Sequence, residues 1–378
     1  MGVGQGTLEA LDVNIHALDA ATWQGRHVLV TGHTGFKGAW LCLWLARMGA
    51  RVTGFALAPE SRPNLFELAA VGSQVQSTIG DLRDAGAVGR ALDEAQPEVV
   101  FHLAAQSLVR RSYAEPVQTF DTNVMGTVNL LEAVRQVPSV RAAVVVTSDK
   151  CYENRGIARG YVEDDPLGGH DPYSASKGCA EIVAASYRRS FFHDRGMAAI
   201  ASARAGNVIG GGDWSQDRLL PDLIRAFESG QPALIRNPAA IRPFQHVLEP
   251  LAGYLQLAAA LLSDGPARAR GWNFGPDAAS TATVGAVADI AAAAWGGGAG
   301  WTTDGSVHPH EAAVLMLDAS AARQRLHWTP RLPLARAVGD TIDWHRQLAA
   351  GADAASLCLR QVDAYLETPA MAVLEGAA

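Results

Sequence analysis

A short apolar run, His27-Val28-Leu29-Val30-Thr31, leads directly into Gly32-His33-Thr34-Gly35-Phe36-Lys37-Gly38, and helical spacing of Trp40, Leu41, Leu43, Trp44 and Leu45 follows. A strand, a glycine-rich turn and a helix in that order leave few folds open. The first glycine permits a tight turn, the second lets backbone N–H groups approach a pyrophosphate, and the third lets helix and strand pack closely. Residues 32–38 are therefore expected to bind a dinucleotide; a plain strand-to-helix turn is the alternative.

The alternation continues. Strands are expected at 51–57, 75–79, 98–102, 142–147 and 198–203, and helices at 39–48, 85–95, 119–137 and 172–193. Strand and helix alternating at this spacing predict an α/β fold with a doubly wound parallel, Rossmann-type sheet. After residue 207 glycines, prolines and short helices are expected to dominate, in a smaller C-terminal substrate-binding lobe. The expected divisions are an N-terminal extension (1–24), a dinucleotide-binding domain carrying the catalytic residues (25–206), a lobe with returns to the main sheet (207–368) and a tail (369–378).

Of 378 residues, 48% are hydrophobic and 18% charged, which suits a large core and not a disordered chain. The net charge of -7 argues against general affinity for nucleic acid or an anionic membrane. Cys42, Cys151, Cys179 and Cys358 form no C-x-x-C pair, so neither zinc nor a disulfide framework is expected. No basic segment and apolar run opens the chain, and no apolar stretch suffices to span a membrane, so a cytoplasmic protein is expected.

The second strand ends Thr53-Gly54-Phe55-Ala56-Leu57 without the carboxylate that usually holds the adenosine ribose of NAD. NAD is the expected cofactor; NADP, with Arg62 near its phosphate, stays open. Asp81 is either a helix cap or a cofactor contact.

Tyr173 and Lys177 form Y-x-x-x-K on one face of a long helix. A tyrosine, with a reference pKa near ~10, is a poor base at neutral pH. An ammonium and an oxidised nicotinamide both favour its phenolate, which is expected to lower that value. The phenolate then takes a proton from a sugar hydroxyl as hydride leaves the same carbon. Ser148, Asp149 and Lys150 follow a strand, where ligands sit in such sheets. Ser148 suits the reacting hydroxyl. An extra acid and base beside it suggest elimination of water, with a charged loop as the alternative.

These residues resemble the nucleotide-sugar 4,6-dehydratases of the extended short-chain dehydrogenase/reductase superfamily, from about Gly25 to about His345. In the dTDP-glucose branch the strand end reads Thr-Asp-Glu; Ser148-Asp149-Lys150 is similar to the CDP-glucose branch. So are the stretches 205–214 and 241–246. The resemblance implies a lyase that removes water from the nucleotide-linked glucose, leaving a 4-keto-6-deoxy sugar, with Asp149 as acid and Lys150 as C5 base or enolate stabiliser. It places Asp81, Leu82, Leu103, Ala104, Ala105 and Gln106 around the cofactor. Arg111, Tyr113, Asn207, Arg218, Leu219, Arg236, Arg242 and His310 are placed around the substrate. No metal is implied, and a His308–Glu311 ligand set is the discarded reading. The runs 126–137 and 180–187 suit a homodimer contact, possible also in a tetramer, and the family suggests deoxysugar supply for bacterial surface polysaccharide such as the O-antigen of lipopolysaccharide. A 4-epimerase on the same fold, another nucleotide-sugar 4,6-dehydratase and a non-catalytic NAD(P) sensor are the rivals.

Overall fold

The computed structural model describes residues 16–157, 159–194, 196–276, 280–303 and 315–371. Its centre is a seven-stranded parallel sheet: β1 (His27–Thr31), β2 (Arg51–Ala56), β3 (Gln76–Ile79), β4 (Val99–His102), β5 (Ala142–Val146), β6 (Ala199–Arg204) and β7 (Gly271–Asn273). The order is β7-β6-β5-β4-β1-β2-β3, so the winding reverses between β1 and β4. That reversal opens a crevice at the carboxyl edge. Helices cover both faces, which is why β5 reads Ala-Ala-Val-Val-Val with every residue buried.

On one face lie α1 (Phe36–Arg47) and, later in the chain, a long helix over Leu248–Asp264. On the other lie α2 (Ala85–Ala95), α3 (Gly126–Gln136) and α4 (Pro172–Phe191). Side-chain caps set two of these starts: Asp84 accepts from Ala87 N at 3.0 Å, and Asp171 accepts from Ser174 N at 2.9 Å with Pro172 at the first helical position.

The structure corrects four expected elements. Helix α1 begins at Phe36, three residues before the apolar spacing shows it, because Gly35 is its N-cap. The helix expected over 119–137 starts at Pro116 and contains a π-helical turn at Asp121–Met125. The region after 207 is not dominated by short helices. The helix over Leu248–Asp264 is buried almost all round against the sheet, and another spans Leu334–Ala349. A helix wrapped by protein on every side has no polar face, so its periodicity vanishes. At the other end of the chain, Trp23 is fully buried, donates to Ala17 O at 2.8 Å and packs 6.0 Å from Phe101, so Ala17, Leu18 and Trp23 belong to the core.

A second cluster gathers Leu220, Leu223 and Ile224 with Val287, Ala288, Val338 and Ile342. Ile209 and Phe244 join this cluster, so it anchors the segments 208–214 and 241–246.

Candidate active site

The carboxyl edge of the sheet gathers the site. Gly32 has φ +77°, and a Cβ there would lie 2.7 Å from Ala104 N. A Cβ on Gly38 would lie 2.0 Å from Gly32 O. The turn 32–38 therefore packs on itself in a way no side chain permits, and it presents the N-terminus of α1 to the crevice. This cradle fits a dinucleotide pyrophosphate.

His33 does not face that cradle. Its ring is fully buried, hydrogen-bonded to Ser77 Oγ at 2.7 Å and stacked edge-on to Phe66 at 5.4 Å. Burial pulls its pKa down to about 4. A Cβ on Gly54 would lie 2.2 Å from the ring, so His33 explains the glycine in β2. Only its backbone is left for a cofactor. Thr34 donates to Leu57 O at 2.8 Å. Lys37 reaches the catalytic side of the turn, with its ammonium 5.8 Å from the Tyr254 ring centroid. Burial, then Lys177 and Arg218, pull its pKa down to about 7.

Asp84, not Asp81, caps α2, which removes the capping alternative for Asp81. Asp81 instead binds Arg83 at 2.6 Å and its pKa is lowered, chiefly by that hydrogen bond. Leu82 is buried beside Gly126. Leu103 and Ala104 follow β4, and Ala104 N donates to Thr31 Oγ1 at 3.2 Å. Asn123, in the π-helical turn, accepts from Gln106 N at 2.8 Å and donates to Gln106 O at 2.9 Å and to Ser176 Oγ at 2.8 Å. It thus ties the 103–106 loop, with Ala105 inside it, to α4 between Tyr173 and Lys177. Sequence reasoning missed Asn123. It follows Asp121 and Thr122 and precedes Thr127, so no local signal sets it apart in the sequence.

At the end of β5, Ser148 donates to Asp149 Oδ1 at 2.8 Å and accepts from Lys150 N at 3.2 Å, closing the turn Asp149–Cys151. Asp149 is 1% exposed, and its second oxygen, Oδ2, is buried without a partner. Gly206 lies against this carboxylate, where a Cβ would come within 2.1 Å. Lys150 is half-buried on the same turn. Tyr173 and Lys177 are both buried, one turn apart on α4, with Lys177 Nζ 3.4 Å from Val146 O. Ser148, Asp149, Tyr173 and Lys177 thus meet at the carboxyl end of β5.

The protein's own groups do not by themselves lower the Tyr173 pKa. Burial pushes the phenol up to about 12, while a side-chain hydrogen bond with Ser148 and, more weakly, Arg218 act downward. Burial also pulls Lys177 down to about 8, against the opposing pull of Glu181.

The expected substrate residues divide. Asn207 (φ +45°) has a buried amide nitrogen without a partner, a donor available to a ligand oxygen. Arg218 lies 3.4 Å from Asp213 and 3.3 Å from Ser107 Oγ, at the cap of the helix that begins with Leu219. Arg242 is 7% exposed. Arg236 is held by Asp217 at 3.0 Å. Arg111 is committed to Glu60 at 2.7 Å and to Glu115 at 2.9 Å, and Tyr113 is half exposed beside it. His310 and the 308–311 stretch lie outside the described residues. Among the described residues no cluster could hold a metal ion.

The parallel sheet, its glycine turn and the Ser, Tyr and Lys at one edge define a class: an extended short-chain dehydrogenase/reductase scaffold. A family profile described as GDP-mannose 4,6 dehydratase matches residues 29–259. CDP-glucose 4,6-dehydratase of Salmonella typhimurium is 50% identical over 353 residues, which is 92% of this chain and 98% of that protein. The chain belongs to the nucleotide-sugar 4,6-dehydratase family. Among solved structures, MoeE5 in complex with UDP-glucose and NAD superposes with a TM-score of 0.71 at 26% identity, covering 85% of this chain and 99% of that one. UDP-glucose 4-epimerase of Thermotoga maritima, at 19% identity, TM-score 0.74 and 85% and 99% coverage, shares the fold.

Proposed function

We propose that this protein is a hydro-lyase converting CDP-D-glucose to CDP-4-keto-6-deoxy-D-glucose and water. The 50% identity to CDP-glucose 4,6-dehydratase of Salmonella typhimurium, over 92% of this chain, supports the substrate. The observation that carries the reaction is the shared hydroxyl of Ser148. It hydrogen-bonds a buried carboxyl, Asp149, at 2.8 Å and also contacts the Tyr173 phenol. A 4-epimerase needs the phenol but has no use for that acid.

NAD, bound on the 32–38 cradle, supplies a place to hold hydride between its removal from C4 and its return to C6. MoeE5 with NAD supports this choice over NADP. Ser148 orients the C4 hydroxyl, and Tyr173 takes its proton. The resulting ketone acidifies the C5 hydrogen, which is assigned to Lys150. Asp149 protonates the departing C6 hydroxyl, so that water leaves and not hydroxide. Asn207 and Arg242 hold the diphosphate.

Enzyme given CDP-[4-2H]glucose is expected to form product lighter by one water, with deuterium at C6. Product of unchanged mass would instead identify an epimerase, and parallel assays with dTDP- and GDP-sugars read the nucleotide. Lys150→Met is expected to slow exchange of the C5 hydrogen with solvent about 100-fold or more. Unchanged exchange removes Lys150 from the base role.

The protein is further assigned to the cytoplasm and to deoxysugar supply for surface polysaccharide. Among the described residues no helix is long and apolar enough to cross a membrane. Val117, Phe120, Met125 and Ile182 are exposed along the outer face of the 116–136 segment and α4. An apolar surface of that kind supports a homodimer through these helices, which sedimentation of the full chain reads directly.

A further inference from the structure

Directly beneath the catalytic turn lies an ion pair that the reaction does not use. Glu181 is on α4, one turn beyond Lys177; Arg204 is on β6. Their side chains are 2% and 5% exposed and 2.8 Å apart. Glu181 also accepts from Thr147 Oγ1 at 2.5 Å and from Ser202 Oγ at 2.6 Å. Thr147 is the residue immediately before Ser148. The carboxylate therefore ties the end of β5 to the helix of Tyr173 and Lys177.

Arg204 faces the other way. It donates to Tyr152 OH at 2.6 Å and to Glu163 O at 2.9 Å, and its guanidinium lies 5.0 Å from the Tyr152 ring centroid. Tyr152 OH in turn donates to Asn273 Oδ1 at 2.7 Å. Residues 147–152 thus hang from this pair at both ends: Thr147 on the carboxylate, Tyr152 on the guanidinium. Between those anchors sit Ser148, Asp149 and Lys150.

Burying a salt bridge is a weak route to stability, because desolvation of both ions offsets their attraction. A pair of apolar side chains would hold the core here at least as well. What apolar side chains cannot do is fix a strand end, a helix and a turn in one register through directed hydrogen bonds.

We infer that Glu181 and Arg204 are positioning residues that hold the Ser148–Lys150 turn in register with Tyr173 and Lys177. The inference rests on the site assigned above and adds residues that touch neither substrate nor cofactor. It also carries an electrostatic consequence. The titratable groups that face Lys177 are Glu181 on its own helix, Cys151 on the turn after β5, His102 on β4 and Lys37 on α1; burial keeps the Cys151 thiol and the His102 ring neutral. Among them, Glu181 is the main influence favouring the ammonium. Loss of its charge lets the Lys177 proton leave at lower pH.

The test compares kcat against pH, KM, thermal midpoint and C4-to-C6 deuterium transfer in the native full chain, Glu181→Gln, Glu181→Asp and the double variant Glu181→Met/Arg204→Met. Glu181→Gln is expected to lower kcat about 10- to 100-fold with little change in KM, as slight misplacement of reacting groups does. Its alkaline limb is expected about one pH unit below that of the native enzyme. Glu181→Asp keeps the charge and therefore the position of the limb. The double variant leaves no unpaired buried ion, is expected to fold with a near-native midpoint, and should still lose kcat. A folded double variant with native kcat, or a Glu181→Gln enzyme with an unmoved limb, overturns the positioning role. If the native enzyme transfers no deuterium from C4 to C6, the reaction assignment itself fails, whatever the variants do.

Discussion

Tyr173→Phe is expected to lower kcat about 1000-fold, the middle of the range for loss of a general base, with KM close to native. The phenol is 7% exposed and its hydrogen-bond neighbour is Ser148, so the ring keeps its packing and the fold is retained. What is lost is the group proposed to accept the C4 hydroxyl proton. In a single turnover no reduced-cofactor absorbance should develop, because hydride cannot leave C4 while its hydroxyl keeps the proton. Stopped-flow absorbance with product mass measures both. A variant that still reduces its cofactor at the native rate would move the base elsewhere. Burial, the largest of the influences on it, leaves this phenol raised to about 12. Positive charge beyond that of Arg218 therefore has to offset it during turnover, and Lys177 and bound NAD are the available sources.

Asp149→Asn is expected to fail at a different step. An amide of the same size still accepts the Ser148 hydrogen bond, 2.8 Å long in the native site, but has no acidic proton to give. The C4 oxidation should proceed, reduced cofactor should accumulate on the enzyme, and formation of the deoxy product should fall about 100- to 10,000-fold. The two variants thus separate oxidation from water loss: one never reduces the cofactor, the other reduces it and stalls. Asp149→Asn forming product at the native rate would show that the proton for the leaving hydroxyl comes from another group. The site leaves little room for compensation, since Gly206 abuts the carboxylate and the free oxygen is buried without a partner.

The parts of this protein that the chain declares on its own are those governed by neighbours in sequence. The β1 turn and α1 follow from where glycines fall after an apolar run. Tyr173 and Lys177 share a face because they are four residues apart on a helix. Asp171 and Pro172 mark where that helix starts. Strand and helix alternation suffices for a parallel sheet, because a parallel connection needs a crossover.

Tertiary structure alone decided what depends on residues far apart in the chain. The helix over Leu248–Asp264 lost its periodicity by being buried on every side. His33 turned inward because Gly54, on another strand, leaves space for its ring. Arg111 was claimed by Glu60, 51 positions away. Glu181 and Arg204, 23 residues apart, give no sign in sequence that they meet. A charge reveals its partner only when the fold has removed the water between them, and that removal is a property of the assembled core.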